Sequence, residues 1–243
     1  MHSIERITVD GSVMELHVAR PRGKSRVPAI LLLYHREGVD EFTRGVMQNF
    51  VAAGYLVAVP DVSHRCDPAI PMTERKAHLR DSQVVADIEA SAVYLRARPD
   101  VIEDRLAIAG HCMGGRMAYL GASRVHAFSA CVVFYGGGML ESWNETVKPV
   151  DLVRDIACPV IGFFGNLDKN PSPEEVDRVE AELRRAAIPY RFHRYDEVGH
   201  GFQRPAHDDP RVRAAAQDAW DKSFAFLAEH LTAARRAGAD ADA

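Results

Sequence analysis

Short, nearly unbroken apolar runs alternate along this chain with longer stretches of helical periodicity, the arrangement expected of parallel strands joined by crossover helices. The runs cover Ala29–Tyr34, Tyr55–Pro60, Leu106–Gly110, Ala130–Tyr135, Val160–Gly165 and Tyr190–Tyr195. Each is nearly continuous in aliphatic or aromatic side chains, as a strand covered on both faces should be. Helices are predicted over Glu41–Ala53, Leu79–Ala97, Gly114–Arg124, Pro173–Ala187 and Arg211–Thr232. The clearest start is Ser172-Pro-Glu-Glu, where a capping hydroxyl precedes a first-turn proline and two acids near the positive end of the dipole. Two segments before all of these, Ile4–Val9 and Val13–Ala19, alternate about Asp10-Gly11 and predict an antiparallel hairpin at one edge of the sheet. The stretch Asp61 to Lys76, broken by Pro68 and Pro71, fits neither pattern and reads as a loop roofing a site.

Composition narrows the function without choosing it. The chain has 243 residues, 47% of them hydrophobic and 26% charged, enough to bury the core of one α/β domain over 1–243 with a frayed tail from 233 to 243. A net charge of −4 with dispersed basic residues argues against nucleic acid as the partner. No apolar run is long enough to span a bilayer, and Met1 to Asp10 carries charges where a signal peptide needs an apolar core, so the expected location is the cytoplasm. The four cysteines, Cys66, Cys112, Cys131 and Cys158, form no C-x-x-C pair and so offer neither zinc-ligand nor dithiol spacing. Cys131 and Cys158 lie in apolar runs and read as buried small hydrophobes.

Cys112 stands apart. Leu106-Ala-Ile-Ala-Gly-His-Cys-Met-Gly-Gly-Arg is a strand that breaks into G-x-C-x-G and then into a helix, the pattern of a nucleophile elbow with sulfur in place of hydroxyl. A strained turn there requires Gly110 and Gly114 to be small so that neighbouring chain can pass. It lifts the thiol out at a helix N-terminus, where the dipole favours thiolate and the Met113 N–H can stabilise an oxyanion. Further along, Asp168 falls just after the run Val160–Gly165, suited to accept the Nδ1 proton of a histidine. His200 lies between Gly199 and Gly201 just after the last strand, a setting that builds neither helix nor sheet core.

The order nucleophile, acid, histidine is that of α/β-hydrolases, and each residue follows a predicted strand at its C-terminal end. The motifs Gly110-His-Cys-Met-Gly-Gly-Arg, Phe134-Tyr-Gly-Gly-Gly, Gly165-Asn-Leu-Asp and Gly199-His-Gly-Phe-Gln-Arg make the chain resemble, over nearly its whole length, the dienelactone hydrolase (carboxymethylenebutenolidase-like) family. The resemblance implies an α/β-hydrolase fold: a mostly parallel central sheet with helices on both faces and the N-terminal hairpin at its edge. It also implies hydrolysis of a small ester or lactone through a thioester acyl-enzyme, with Cys112, His200 and Asp168 as triad and with neither metal nor organic cofactor. Arg204 would meet a substrate carboxylate, and a backbone N–H of Arg36 or Glu37 would complete the oxyanion hole.

Tyr34-His-Arg-Glu-Gly follows the family only in part. Better-known members carry a glutamate three residues before the glycine, where this chain has His35; Glu37 adjoins Gly38. Either side chain is a candidate to tune Cys112 or bind substrate, and Tyr135 is a further candidate at a strand end. Arg75 and Arg80 lie where the family has a second substrate arginine, and His64 and Arg65 lie in the roof loop, but no motif anchors any of them. A broad carboxylesterase or thioesterase, or a non-catalytic binding or stress protein on the same scaffold, remains compatible with these residues. No pattern in the chain sets an oligomeric state.

Overall fold

A computed structural model describes residues 2–23, 25–204 and 207–232. The tail expected from 233 to 243 lies outside the described residues. The chain runs β1 (His2–Val9), β2 (Ser12–Ala19), β3 (Val27–Leu33), α1 (Glu41–Ala52), β4 (Leu56–Pro60), α2 (Asp81–Ala97), β5 (Val101–His111), α3 (Met113–Arg124), β6 (Ala130–Phe134), α4 (Pro149–Leu152), β7 (Val160–Gly165), α5 (Pro173–Arg185), β8 (Tyr190–Tyr195) and α6 (Pro210–Thr232). All eight strands join one sheet in the order β1-β2-β4-β3-β5-β6-β7-β8. Pairing from β4 through β8 is parallel, whereas β2 runs antiparallel to both β1 and β4, so the hairpin does form one edge.

Helices cover both faces, which is why the central strands are apolar throughout. Helices α1 and α6 lie on one face, joined where Phe50 meets Trp220 edge-on, with ring centroids 5.3 Å apart. On the other face α2 and α3 pack together against β5. Strands β3, β4, β5 and β6 are buried over almost every position that faces these layers. The class read from the apolar runs is the observed one: a mostly parallel α/β sheet with an antiparallel hairpin.

Three local differences have clear causes. Strand β5 begins at Val101, not Leu106, because Val101 pairs with Val27 before the polar residues Glu103 and Asp104 leave the buried layer. Helix α2 begins at Asp81, not Leu79, and is preceded by a 3-10 turn at Met72–His78 with no apolar periodicity to announce it. The roof stretch is only partly a roof. Its Thr73 and Lys76 face the cleft described below. His64 and Arg65 instead turn inward to the fully buried Asp87, at 3.1 and 2.8 Å.

Candidate active site

Strand β5 delivers its last residues to the C-terminal edge of the sheet and turns straight into α3. The turn is Cys112, whose φ of 55° and ψ of −121° put a non-glycine residue in sparsely allowed backbone space. Two glycines make the turn possible. A methyl on Gly110 would sit 2.1 Å from the carbonyl oxygen of Gly114, and one on Gly114 would sit 2.0 Å from that of Leu33, at the end of β3. The glycine spacing in the motif is thus a packing requirement, and it sets the N-terminus of α3 against the loop that follows β3.

That loop returns on itself at once, with Gly38 N–H donating to the His35 carbonyl at 3.0 Å. Arg36 and Glu37, inside the turn, line the same cleft as Cys112 and Met113. The Cys112 carbonyl accepts from Gly115 and Arg116 at 2.9 and 3.3 Å, which closes the first turn of α3 behind Met113.

His200 and Asp168 reach Cys112 from two other strand ends. His200 Nδ1–H donates to Asp168 Oδ2 at 2.8 Å, and Nε2 is 3.0 Å from Cys112 Sγ. Asp168 is 5% exposed while the His200 side chain is 40% exposed, so the acid is walled in and the imidazole faces the cleft. Asp168 also accepts the Asn170 N–H at 2.9 Å, which holds the carboxylate on its loop. Burial pulls the imidazole pKa down, but the hydrogen bonds to Asp168 and to the Cys112 sulfur outweigh it and raise the value to about 10. Tyr135, at the end of β6 with φ 39°, sets its ring edge-on to His200 with centroids 5.0 Å apart. It lines the cleft floor, and burial drives its phenol well above the usual range.

The cleft has a volume of about 660 Å³. His35 is buried at its side, and its Nε2–H donates to Asp40 Oδ1 at 2.9 Å. That oxygen also accepts the Thr43 N–H as the cap of α1. Burial alone would raise the Asp40 carboxyl, yet the bonds from His35 and Thr43 leave it below its ordinary value. With Nε2–H committed, His35 Nδ1 is an acceptor and faces Arg204 Nη2 at 3.4 Å. The same Nη2 donates to Glu37 Oε2 at 3.3 Å, and the guanidinium lies 6.0 Å from the Phe42 ring centre. Neither His35 nor Glu37 is turned to the thiol: one holds Asp40, the other Arg204. The ligand atoms of His35, Glu37 and Asp40 lie within 4.8 Å of one another. Their lone pairs are engaged by Thr43 and Arg204, which makes the trio a poor cation cradle.

Arg75 and Arg80 do not reach the cleft. Arg75 fastens the roof loop through the carbonyls of Ile70 and Pro68 and the Ser63 hydroxyl, and Arg80 precedes α2 at its N-cap. The buried arginine that shapes the site is Arg116, four residues after Cys112. It makes a two-pronged contact to Asp81 at 2.6 and 3.0 Å and lies 3.8 Å from the ring centre of Trp143, a cleft-wall residue. The motif's last position hinted at Arg116, but its partners lie 35 and 27 residues away in sequence and have no motif of their own. His111, beside Cys112, is buried. Burial pushes its pKa down to about 3, and its ring stacks on Phe134 with centroids 4.2 Å apart.

A mostly parallel sheet whose β5 ends in a strained G-x-C-x-G turn, with an acid and a histidine placed beside it by later strands, is the architecture of an α/β-hydrolase-fold enzyme. The chain belongs to the dienelactone hydrolase family, whose model matches residues 14–231. A relative from Bradyrhizobium, provisionally named a 2-oxo-3-(5-oxofuran-2-ylidene)propanoate lactonase, is 28% identical over 94% of this chain and 94% of its own. A provisionally named carboxymethylenebutenolidase from Salmonella typhimurium is 28% identical over 93% of this chain and 87% of its own. A solved structure of a provisionally named dienelactone hydrolase from Klebsiella pneumoniae superposes with a TM-score of 0.84 at 27% identity, covering 94% of this chain and 98% of that one.

Proposed function

We propose that this chain hydrolyses a small carboxylic ester or lactone bearing a carboxylate, through a thioester formed on Cys112. The observation that carries the reading is the unbroken line Asp168–His200–Cys112, with contacts of 2.8 and 3.0 Å, opening onto a cleft. With its pKa raised to about 10, the His200 imidazole is a base able to draw the proton from Cys112, giving thiolate and imidazolium.

The thiolate attacks the carbonyl carbon, and the N–H groups of Met113 and of Arg36 or Glu37 hold the resulting oxyanion. Collapse breaks the C–O bond, and the His200 imidazolium gives its Nε2 proton to the departing oxygen. Acylation removes the sulfur's negative charge, one of the influences that raises His200. The now neutral imidazole can therefore take a proton from water. Hydroxide adds to the thioester, the C–S bond breaks, and thiolate and imidazolium are restored, with the acid product losing its proton to solvent. Asp168 holds the tautomer throughout. Arg204, oriented by Glu37 and His35, meets the substrate carboxylate.

No helix among the described residues is long and apolar enough to cross a membrane, and all four cysteines are free thiols. The test is Cys112→Ala, assayed on 4-nitrophenyl hemisuccinate and on a carboxylated unsaturated lactone. A loss of roughly 10⁴-fold or more in kcat is expected when a triad nucleophile is removed, together with a mass increase on the wild-type Cys112 peptide after rapid quenching. Unchanged turnover in the variant sinks the proposal.

A further inference from the structure

The cleft is far more basic than the chain that builds it. The whole protein carries −4, yet Arg36, Lys76, Lys169 and Arg204 all line the cleft against only Glu37 and Asp168. Those two acids are engaged, Asp168 by His200 at 2.8 Å and Glu37 by Arg204 at 3.3 Å. Elsewhere arginines find carboxylates readily, as Arg98 does with Asp100 and Arg191 with Glu229. Among the described residues, by contrast, Lys76 and Lys169 have no carboxylate at ion-pair distance. Lys76 instead lies over the face of Trp143, 5.8 Å from the ring centre, a placement that keeps the ammonium in the cleft.

The cations also come from different segments. Arg204 is tied to the turn after β3 through Glu37 and His35, and it lies over Phe42. Lys76 stands on the 3-10 turn before α2, and Lys169 follows Asp168 on the loop after β7. With them on the cleft lining are Thr73 and Asn170, which offer neutral donors. A single carboxylate on Arg204 would leave Lys76 and Lys169, on the same cleft lining, without an anion. Unbalanced like charges gathered around one cleft raise the local concentration of anions and favour a multiply charged ligand.

Resting on the ester-hydrolase reading, we propose that Lys76 and Lys169 form a second anion subsite, so that the preferred substrate carries one carboxylate on each side of the scissile bond. Arg204 takes the first and the lysine pair takes the second. No covalent step changes; the second contact orients the ester across Cys112 and adds attraction that salt should weaken.

The test is a square of four substrates: phenyl acetate, phenyl hemisuccinate, 4-carboxyphenyl acetate and 4-carboxyphenyl hemisuccinate, each corrected for its alkaline hydrolysis rate. The doubly charged ester should exceed the better singly charged one in kcat/KM by roughly fivefold, the scale of a pair of solvent-accessible charge contacts. That advantage should shrink toward one in K76A/K169A and at high ionic strength. A doubly charged ester no better than the singly charged ones, or an advantage that survives in the double variant, overturns the subsite. Protection of Cys112 from iodoacetamide by glutarate, relative to butyrate, reads the subsite without turnover. Stronger protection by glutarate that is lost in K76A/K169A supports it, and equal protection by the two acids counts against it. An enzyme that shows this protection but hydrolyses no ester refutes the hydrolase reading and leaves the anion subsite standing.

Discussion

Cys112 Sγ and His200 Nε2 lie 3.0 Å apart although 88 residues separate them in sequence. The sheet makes the contact: β5 and β8 end at the same edge, and the loop after β8 carries His200 back over the elbow. The pair is electrostatically biased, since the imidazole titrates near 10 when faced by Asp168 and the sulfur.

That bias has a pH signature. A histidine whose native pKa lies above its unfolded value of about 6.5 adds stability that is complete below that value and is lost as pH rises through the native one. Unfolding free energy, measured in urea between pH 6 and 10.5, should therefore fall from about pH 6.5 to about pH 10 in the wild type and level off above that. The fall should be smaller in His200→Ala. At pH 7 the variant should also react with iodoacetamide much more slowly at Cys112. Equal labelling rates in the two proteins would refute the pairing.

Arg204 is expected to act on binding. Removing its charge with Arg204→Gln should lower kcat/KM for 4-nitrophenyl hemisuccinate by roughly ten- to hundredfold, the loss of a charge-assisted hydrogen bond. The uncharged 4-nitrophenyl butyrate should change much less. A parallel fall on both esters would assign Arg204 to scaffold instead.

Asp40 has two separable duties, capping α1 and anchoring His35. Asp40→Ala should cost about 1 kcal/mol from the lost cap, whereas Asp40→Ser keeps the cap. Both should raise KM for carboxylated esters, because His35 no longer fixes its Nδ1 as an acceptor beside Arg204. Urea unfolding and steady-state kinetics on the two variants separate these effects; a normal KM in Asp40→Ser would rule out the anchoring role.

Arg116 and Asp81 form a buried ion pair beneath Trp143, with exposures of 1% and 6%. Arg116→Leu leaves the Asp81 carboxylate buried without its partner, which should destabilise by about 3–5 kcal/mol. Replacing both, as Asp81→Asn with Arg116→Leu, should recover part of that loss. A cost under about 1 kcal/mol for the single variant in urea unfolding would show that water or a neighbouring group compensates the charge.

At the elbow, Gly114→Ala places a methyl 2.0 Å from the Leu33 carbonyl oxygen. The N-terminus of α3 must then move away from β3, at a cost of about 1–3 kcal/mol for overfilling a close-packed site. Activity should fall further than stability, since the same shift separates Met113 from Arg36 and Glu37. Comparison of kcat with unfolding free energy checks this; proportionate changes in both would argue that the elbow merely packs.

The fold class and the order of the site residues are written locally in the chain. Continuous apolar runs with helical intervals specify a parallel sheet, because both of its faces must be covered. G-x-C-x-G after a strand specifies a strained turn because no Cβ fits at Gly110 or Gly114. His200 was legible because flanking glycines leave it no structural duty. Other features depended on which distant segments meet. Whether His35 or Glu37 would face the thiol hinged on the α1 cap, since Asp40 draws His35 aside and Arg204 claims Glu37. His64 and Arg65 sit in the roof loop with no motif to anchor them, and a carboxylate buried in α2 pulls them inward. Lys76, Lys169 and Trp143 had no motif to connect them, for the cleft wall they share exists only once the 3-10 turn before α2, the loop after β6 and the loop after β7 converge. Local sequence determines backbone geometry through sterics and periodicity, whereas the partner of each charge is decided by burial and proximity, which arise only when the sheet is assembled.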